Sequence, residues 1–210
     1  MMNNFLHRPL GHFISSRFLR SRRVFAQSIF ASSLIVISSA AMAGELAVTD
    51  GVVVKFGQDA QLVVRDKLTA GKGVVLTSQS DDAAGGQVAA TAQTPVTGVW
   101  SGVRLEKSAA PNNLSFTEMT IRYAGAQGGA GLTVLGFNPA LQYLQITDNI
   151  IGLQLLQGAS PTINGSSFLR NGTGIDADGN ALPVITNSQF LQNSTQAIFN
   201  RTPTTIIQAT

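Results

Sequence analysis

From Val52 onward, short runs of apolar and polar residues alternate and are broken by Gly, Asn or Pro. That two-residue rhythm predicts strands, and no window keeps a helical period. Val52-Val53-Val54-Lys55-Phe56, Gln61-Leu62-Val63-Val64 and Val74-Val75-Leu76-Thr77 are the first three. Residues 78–97 are small, polar and rich in Gly and Ala, and predict a projecting loop. Strands resume with Trp100, Val103 and Leu105, then with Leu114-Ser115-Phe116 and Met119-Thr120-Ile121.

A longer period overlies the alternation. Pro139, Pro161 and Pro183 are 22 residues apart. Leu141, Ile163 and Ile185 keep the same step, as do Ile146, Phe168 and Phe190, and Asn149, Asn171 and Asn193. A fixed period of this length marks a solenoid, in which each coil hides its apolar face against its neighbours. The preceding coil is longer, because Phe116 to Leu141 and Ile121 to Ile146 both step by 25. Gly128-Gly129-Ala130-Gly131 holds the extra residues.

Stacking places equivalent residues about 4.8 Å apart. The period puts Leu153 on Ile175, and Leu155 on Ala177 and Phe199. Asn149, Asn171 and Asn193 form a column at a strand end, where amides bond up and down the stack. Leu169 and Leu191 follow the inward Phe168 and Phe190, so they point outward as an apolar stripe. Ile207 lies 22 after Ile185 and begins an incomplete last coil.

The first 43 residues read differently. Arg8, Arg17, Arg20, Arg22 and Arg23 form a basic segment without acids, an apolar stretch runs from Ile29 to Met42, and Ala41-Met42-Ala43 fits a cleavage site. This predicts a secretory signal peptide, cleaved after Ala43. The stretch is short of the ~20 residues of a membrane span. Ser21-Arg22-Arg23-Val24-Phe25 also matches the core of a twin-arginine export signal, although Ala26 and Gln27 follow it. Both export routes remain open.

Removing the leader changes the charge argument. The whole chain carries +3, but the leader holds five of the 14 basic residues and none of the 11 acids. The remainder is therefore −2, and it has no Lys/Arg cluster for nucleic acid. His7 and His12 leave with the leader, and there is no Cys. That excludes Ser-His-Asp and Cys-His catalysis, zinc and haem ligation, and disulfides from the mature part.

Gly51-Val-Val-Val-Lys-Phe56, Leu62-Val-Val64, Leu68-Thr-Ala-Gly71, Val75-Leu-Thr-Ser78, Gly98-Val-Trp-Ser-Gly-Val103 and the coil Ile163…Phe168…Asn171…Gly174-Ile175 together resemble exported bacterial right-handed parallel β-helix proteins. The resemblance spans roughly residues 50–210. It implies an all-β, right-handed parallel β-helix of about 22-residue coils over 44–210. The fold is shared with pectate lyases and polygalacturonases, and with adhesins and surface proteins that have no known activity. Where the family often has Gly-x-Leu, this chain has Asp66-Lys67-Leu68.

Three functions are compatible with such a chain. A Ca²⁺-dependent polyuronate lyase needs carboxylates around the metal and a Lys or Arg base. Its candidates are Asp176 and Asp178, two apart on a strand, with Asp148 and Arg170 one coil apart in a column. They also read as turn residues and a surface ion pair. A polygalacturonase-like hydrolase lacks its His and its aspartate cluster. A binding module would use Trp100, Tyr123 and Tyr143 to stack on sugars of a polysaccharide or cell surface. A scaffold would be the opening of a longer solenoid, or would self-associate end to end through its last coil. The expectation is an exported, non-catalytic binding or scaffolding module without a cofactor, periplasmic, cell-surface or secreted. The lyase is the alternative. Five Asn-x-Ser/Thr sequons, at Asn113, Asn164, Asn171, Asn193 and Asn200, are a by-product of turn composition.

Overall fold

The computed structural model describes residues 45–107, 114–116 and 118–201, with the backbone of short strands at 12–13, 24–26, 34–37, 40–42 and 208–209. Every strand pairing among them is parallel, and each strand pairs with its equivalent in the neighbouring coil. The chain is a parallel β-solenoid with coils of about 22 residues.

Three faces build each coil. The first sheet holds eight strands, with Val53–Phe56, Val75–Ser78, Thr120–Arg122, Gln145–Thr147, Ser167–Leu169 and Gln189–Leu191 as its main ladder. The second holds seven, including Gln61–Val64, Gly102–Glu106, Leu132–Leu135, Ile151–Leu156, Thr173–Ala177 and Gln196–Asn200. The remaining strands form two four-stranded sheets, one containing Glu45–Val48, Lys67–Ala70 and Leu114–Phe116, the other Ala140–Gln142, Thr162–Asn164 and Val184–Thr186.

The alternation in the sequence becomes inside and outside. Val54, Leu76, Ile121, Ile146 and Phe168 stack inward from the first sheet, and Leu62, Val103, Leu132, Leu153 and Ile175 from the second. All ten are nearly or fully buried. Burial of this order contributes about 1.5–3 kcal/mol per large side chain and replaces the missing disulfides. Phe168 and Phe190 lie face to face, centroids 4.9 Å apart.

The 25-residue coil places its surplus in a 3₁₀ turn, Ala126–Gly128, before Leu132–Leu135. Gly102 is needed here. Its φ is +84°, and a Cβ would lie 1.7 Å from the Ala130 carbonyl oxygen.

Three expectations need correction. The projecting loop starts at Gln79, because Ser78 completes the strand Val75–Ser78 and is fully buried. In the last coil Ile198 sits opposite Ile175, Phe199 opposite Asp176 and Asn200 opposite Ala177. An extra residue around Ser194-Thr195 shifts the register by one, so Ile198 turns inward and Phe199 outward, 43% exposed. Ala209 is the residue opposite Ile185; Ile207 lies outside the described residues. So do Arg22, Arg23 and Ala43. Ala41 falls in the strand Ala40–Met42, which pairs with Gln61–Val64; Val24–Ala26 and Leu34–Ile37 likewise pair with Glu45–Val48 and Val53–Phe56. Among the described residues no helix is long and apolar enough to cross a membrane.

Candidate functional site

The corner after the first sheet gathers most of the candidate residues. Each of four successive coils turns there through a residue of positive φ: Tyr123 (62°), Asp148 (58°), Arg170 (53°) and Gln192 (56°). Such a left-handed residue costs an L-amino acid about 1–2 kcal/mol, so the surroundings must hold the turn.

The next residue in each turn supplies that support. The Ala124 amide donates to Asn149 Oδ1 at 2.8 Å, the Asn149 amide to Asn171 Oδ1 at 3.1 Å, and the Asn171 amide to Asn193 Oδ1 at 3.0 Å. Going the other way, Nδ2 of Asn149, Asn171 and Asn193 donates to the carbonyls of Ile121, Ile146 and Phe168 at 3.2, 2.9 and 3.0 Å. Asn149 and Asn171 are buried. The column satisfies corner amides that no sheet ladder reaches.

Asp148 and Arg170 meet as the 22-residue step places them. Arg170 Nε donates to Asp148 Oδ1 at 2.7 Å and Nη2 to Oδ2 at 2.8 Å. Thr147 Oγ1 donates to the same carboxylate. Burial by itself would raise the Asp148 pKa, but the Arg170 and Thr147 hydrogen bonds outweigh it and hold the carboxyl below its usual range.

Asp176 and Asp178 do not act as a pair. Asp176 projects from the second sheet yet is almost fully buried. Arg201 holds both its oxygens, with Nε 3.0 Å from Oδ1, and Gln154 Nε2 lies 3.4 Å from Oδ2. Asp178 closes the following turn, accepting from the Gly158 and Asn180 amides, each at 3.1 Å. A Ca²⁺ shell takes six to eight oxygens. Among the described residues no three His, Cys, Asp or Glu side chains gather, and a cation at Asp176 would have to displace Arg201. These residues do not fit the metal.

The three aromatics separate. Trp100 is fully buried, stacks on Phe56 with centroids 4.2 Å apart, and donates its indole N–H to the Arg122 carbonyl at 2.9 Å. It has no ring face to offer a sugar and belongs to the core. Tyr123 is half-buried under the Arg122 guanidinium, 5.5 Å from its ring centre. Burial, reinforced by Asp148, raises its pKa. Tyr143 alone is open, 51% exposed, with its ring over Gly165.

One cluster escaped the sequence reading. Lys55, Thr77 and Arg122 follow one another on the outer side of the first sheet, and loop 79–98 folds over them. Lys55 and Asp81 are fully buried. Asp81 Oδ2 accepts from Thr77 Oγ1 at 2.6 Å, Arg122 Nε at 2.7 Å and Arg122 Nη2 at 2.6 Å. Asp82 Oδ2 accepts from the Gln93 amide at 2.7 Å, and Lys55 Nζ donates to the Gly86 carbonyl. Asp81 Oδ1 and Asp82 Oδ1 are buried without a hydrogen-bond partner. Burial lowers the Lys55 pKa and Arg122 adds to this, against the opposing pull of Asp81 and Asp82. The available signal was a lysine inside the apolar run Val52–Phe56 and an Asp-Asp pair opening the insertion. Comparison with protein families, curated proteins and solved structures yields no match.

Proposed function

We propose that the chain is an exported, non-catalytic β-solenoid module that binds a glycan or cell-surface partner, or serves as a scaffold. The observation that carries this reading is the commitment of the candidate catalytic groups. Asp148, Arg170 and Asp176 are locked in ion pairs, and Asp178 in a turn. The shifts also run against chemistry. A general acid gains from a raised carboxyl pKa and a tyrosine base from a lowered one. Asp148 and Tyr123 move the opposite ways. Lys55 moves in the direction a base requires, which favours the lyase as a second reading, but the loop seals it from solvent.

Export rests on the leader. Cleavage after Ala43 would free the edges of Glu45–Val48, Val53–Phe56 and Gln61–Val64, which now pair with leader strands. At the other end of the described stack, Phe190 and Ile198 belong to core columns but are only half-buried, and Leu191 is 50% exposed. Such edges invite further coils or end-to-end contact with a second copy. A glycan array and binding to whole cells test the module. Signal from the wild type that falls with Tyr143→Ala supports glycan binding at the open corner. No signal on any glycan or cell leaves the scaffold, for which light scattering should show association rising with concentration. A strictly monomeric, non-binding protein would refute both.

A further inference from the structure

The cluster beneath loop 79–98 is not built like a finished structural ion pair. Buried polar groups in folded proteins nearly always find partners, and exceptions call for an explanation. Here two carboxylate oxygens have none, while Lys55 uses one of three N–H donors, on the Gly86 carbonyl. The donor half of the cluster, the cations Lys55 and Arg122 with the Thr77 hydroxyl, is fixed to three adjacent strands of the solenoid. The anionic half, Asp81 and Asp82, belongs entirely to an insertion. Val54 to Leu62 takes eight residues in one coil, whereas Leu76 to Val103 takes 27 in the next. Without the insertion the coil would be regular, so the stack has no need of these aspartates. The tip beyond Ala84 is almost wholly exposed.

We propose that Lys55, Thr77 and Arg122 form a preorganised anion site, which Asp81 fills as an internal ligand, and that displacing loop 79–98 opens it to an acidic peptide segment. The chemistry of the ligand follows from the present occupant, neighbouring carboxylates on a peptide segment held in tight turns, with the Asp81 amide bonded to the Ser78 carbonyl and the Asp82 amide to the Ser80 carbonyl. Arg122 and the Thr77 hydroxyl take one carboxylate, and the two spare donors of Lys55 are available to the other. Arg122, 25% exposed in its side chain, is the edge at which an incoming peptide competes. The proposal rests on the binding-module reading and gives it a second, loop-gated surface, apart from the Tyr143 corner.

The test is fluorescence anisotropy with a labelled oligo-aspartate peptide at low salt. The full chain is compared with Asp81→Ala/Asp82→Ala, and with a variant lacking residues 79–97, which restores the regular coil if the double variant does not fold. Circular dichroism checks folding in each case. Binding about tenfold tighter in the opened variants, and lost again on adding Arg122→Ala or Lys55→Ala, is the expected result. Binding that survives Arg122→Ala, or no gain in a folded loop-deleted chain, overturns the proposal. So does an opened site that takes an oligouronate and not the peptide. None of these outcomes touches glycan binding by the closed wild type at Tyr143, so the two readings fail separately.

Discussion

Replacing Asn171 by Ala should cost the stack more than any change at a charged surface residue. The Asn171 side chain accepts from the Asn149 amide at 3.1 Å and from Asn149 Nδ2 at 3.0 Å, and donates to the Ile146 carbonyl at 2.9 Å and to Asn193 Oδ1 at 3.2 Å. The four losses are unequal. Asn149 Nδ2 keeps the Ile121 and Thr147 carbonyls, and Asn193 Oδ1 keeps the Asn171 amide. The Asn149 amide, however, is left buried without its partner. An orphaned buried group costs about 1–3 kcal/mol and each ordinary hydrogen bond about 0.5–1.5 kcal/mol. The total is about 3–5 kcal/mol. Asn193→Ala should cost less, since Asn193 is half-buried and water can replace its bonds. Urea unfolding followed by circular dichroism reads both. The single tryptophan, Trp100, separately reports the early coils, where its stack on Phe56 lies. A solenoid is stabilised by nearest-neighbour interfaces, so the Trp100 signal should shift less than the ellipticity. A loss below about 1 kcal/mol for Asn171→Ala, or equal losses at 171 and 193, would refute the role assigned to the asparagine column.

Three further outcomes follow from the same geometry. Asp148 has its folded pKa below the usual 3.8; its pair therefore stabilises the fold above that pH, and the contribution disappears as pH falls through the lowered value. An acid-unfolding series should show Arg170→Ala losing less stability than wild type across this range. Gly102→Ala should destabilise by several kcal/mol, or prevent folding, because both the positive φ and the Ala130 carbonyl exclude a Cβ; a soluble variant with an unchanged melting curve would contradict the described coil. Gln192→Gly should stabilise by about 0.5–1 kcal/mol, as relief of the left-handed strain exceeds the added chain entropy, and a lowered melting temperature would show that the glutamine side chain holds the turn.

The regular coils were legible because their period repeats the same physical demand. Ile146, Phe168 and Phe190 must each fill one level of one column, and Asn149, Asn171 and Asn193 must each close one corner. The same spacing brought Asp148 to Arg170. Where the period breaks, it stops informing. Both Ile198 and Phe199 are apolar, so nothing in their chemistry reveals the extra residue that turns Phe199 outward. Trp100 was read by its type as a possible platform, but it enters from the end of the insertion and fills the corner beside Phe56. Asp81 and Arg122 lie 41 residues apart, and Asp81 sits in a loop that obeys no repeat. The left-handed corners at Tyr123, Asp148, Arg170 and Gln192 carry little of the glycine that usually marks such turns. At Asp148, Arg170 and Gln192 the conformation is imposed by the asparagine that follows, and at Tyr123 by Asn149 of the next coil, which holds the Ala124 amide, not by their own preference.

We propose that the carboxylates and guanidinium groups of this solenoid secure coils and do not perform chemistry. Ultraviolet absorbance of unsaturated uronates tests this most directly, with the purified chain on several polyuronates, with and without Ca²⁺. The account predicts no absorbance change on any substrate. A rise that Arg170→Ala or Asp176→Ala abolishes in a still-folded protein would contradict it and establish the lyase.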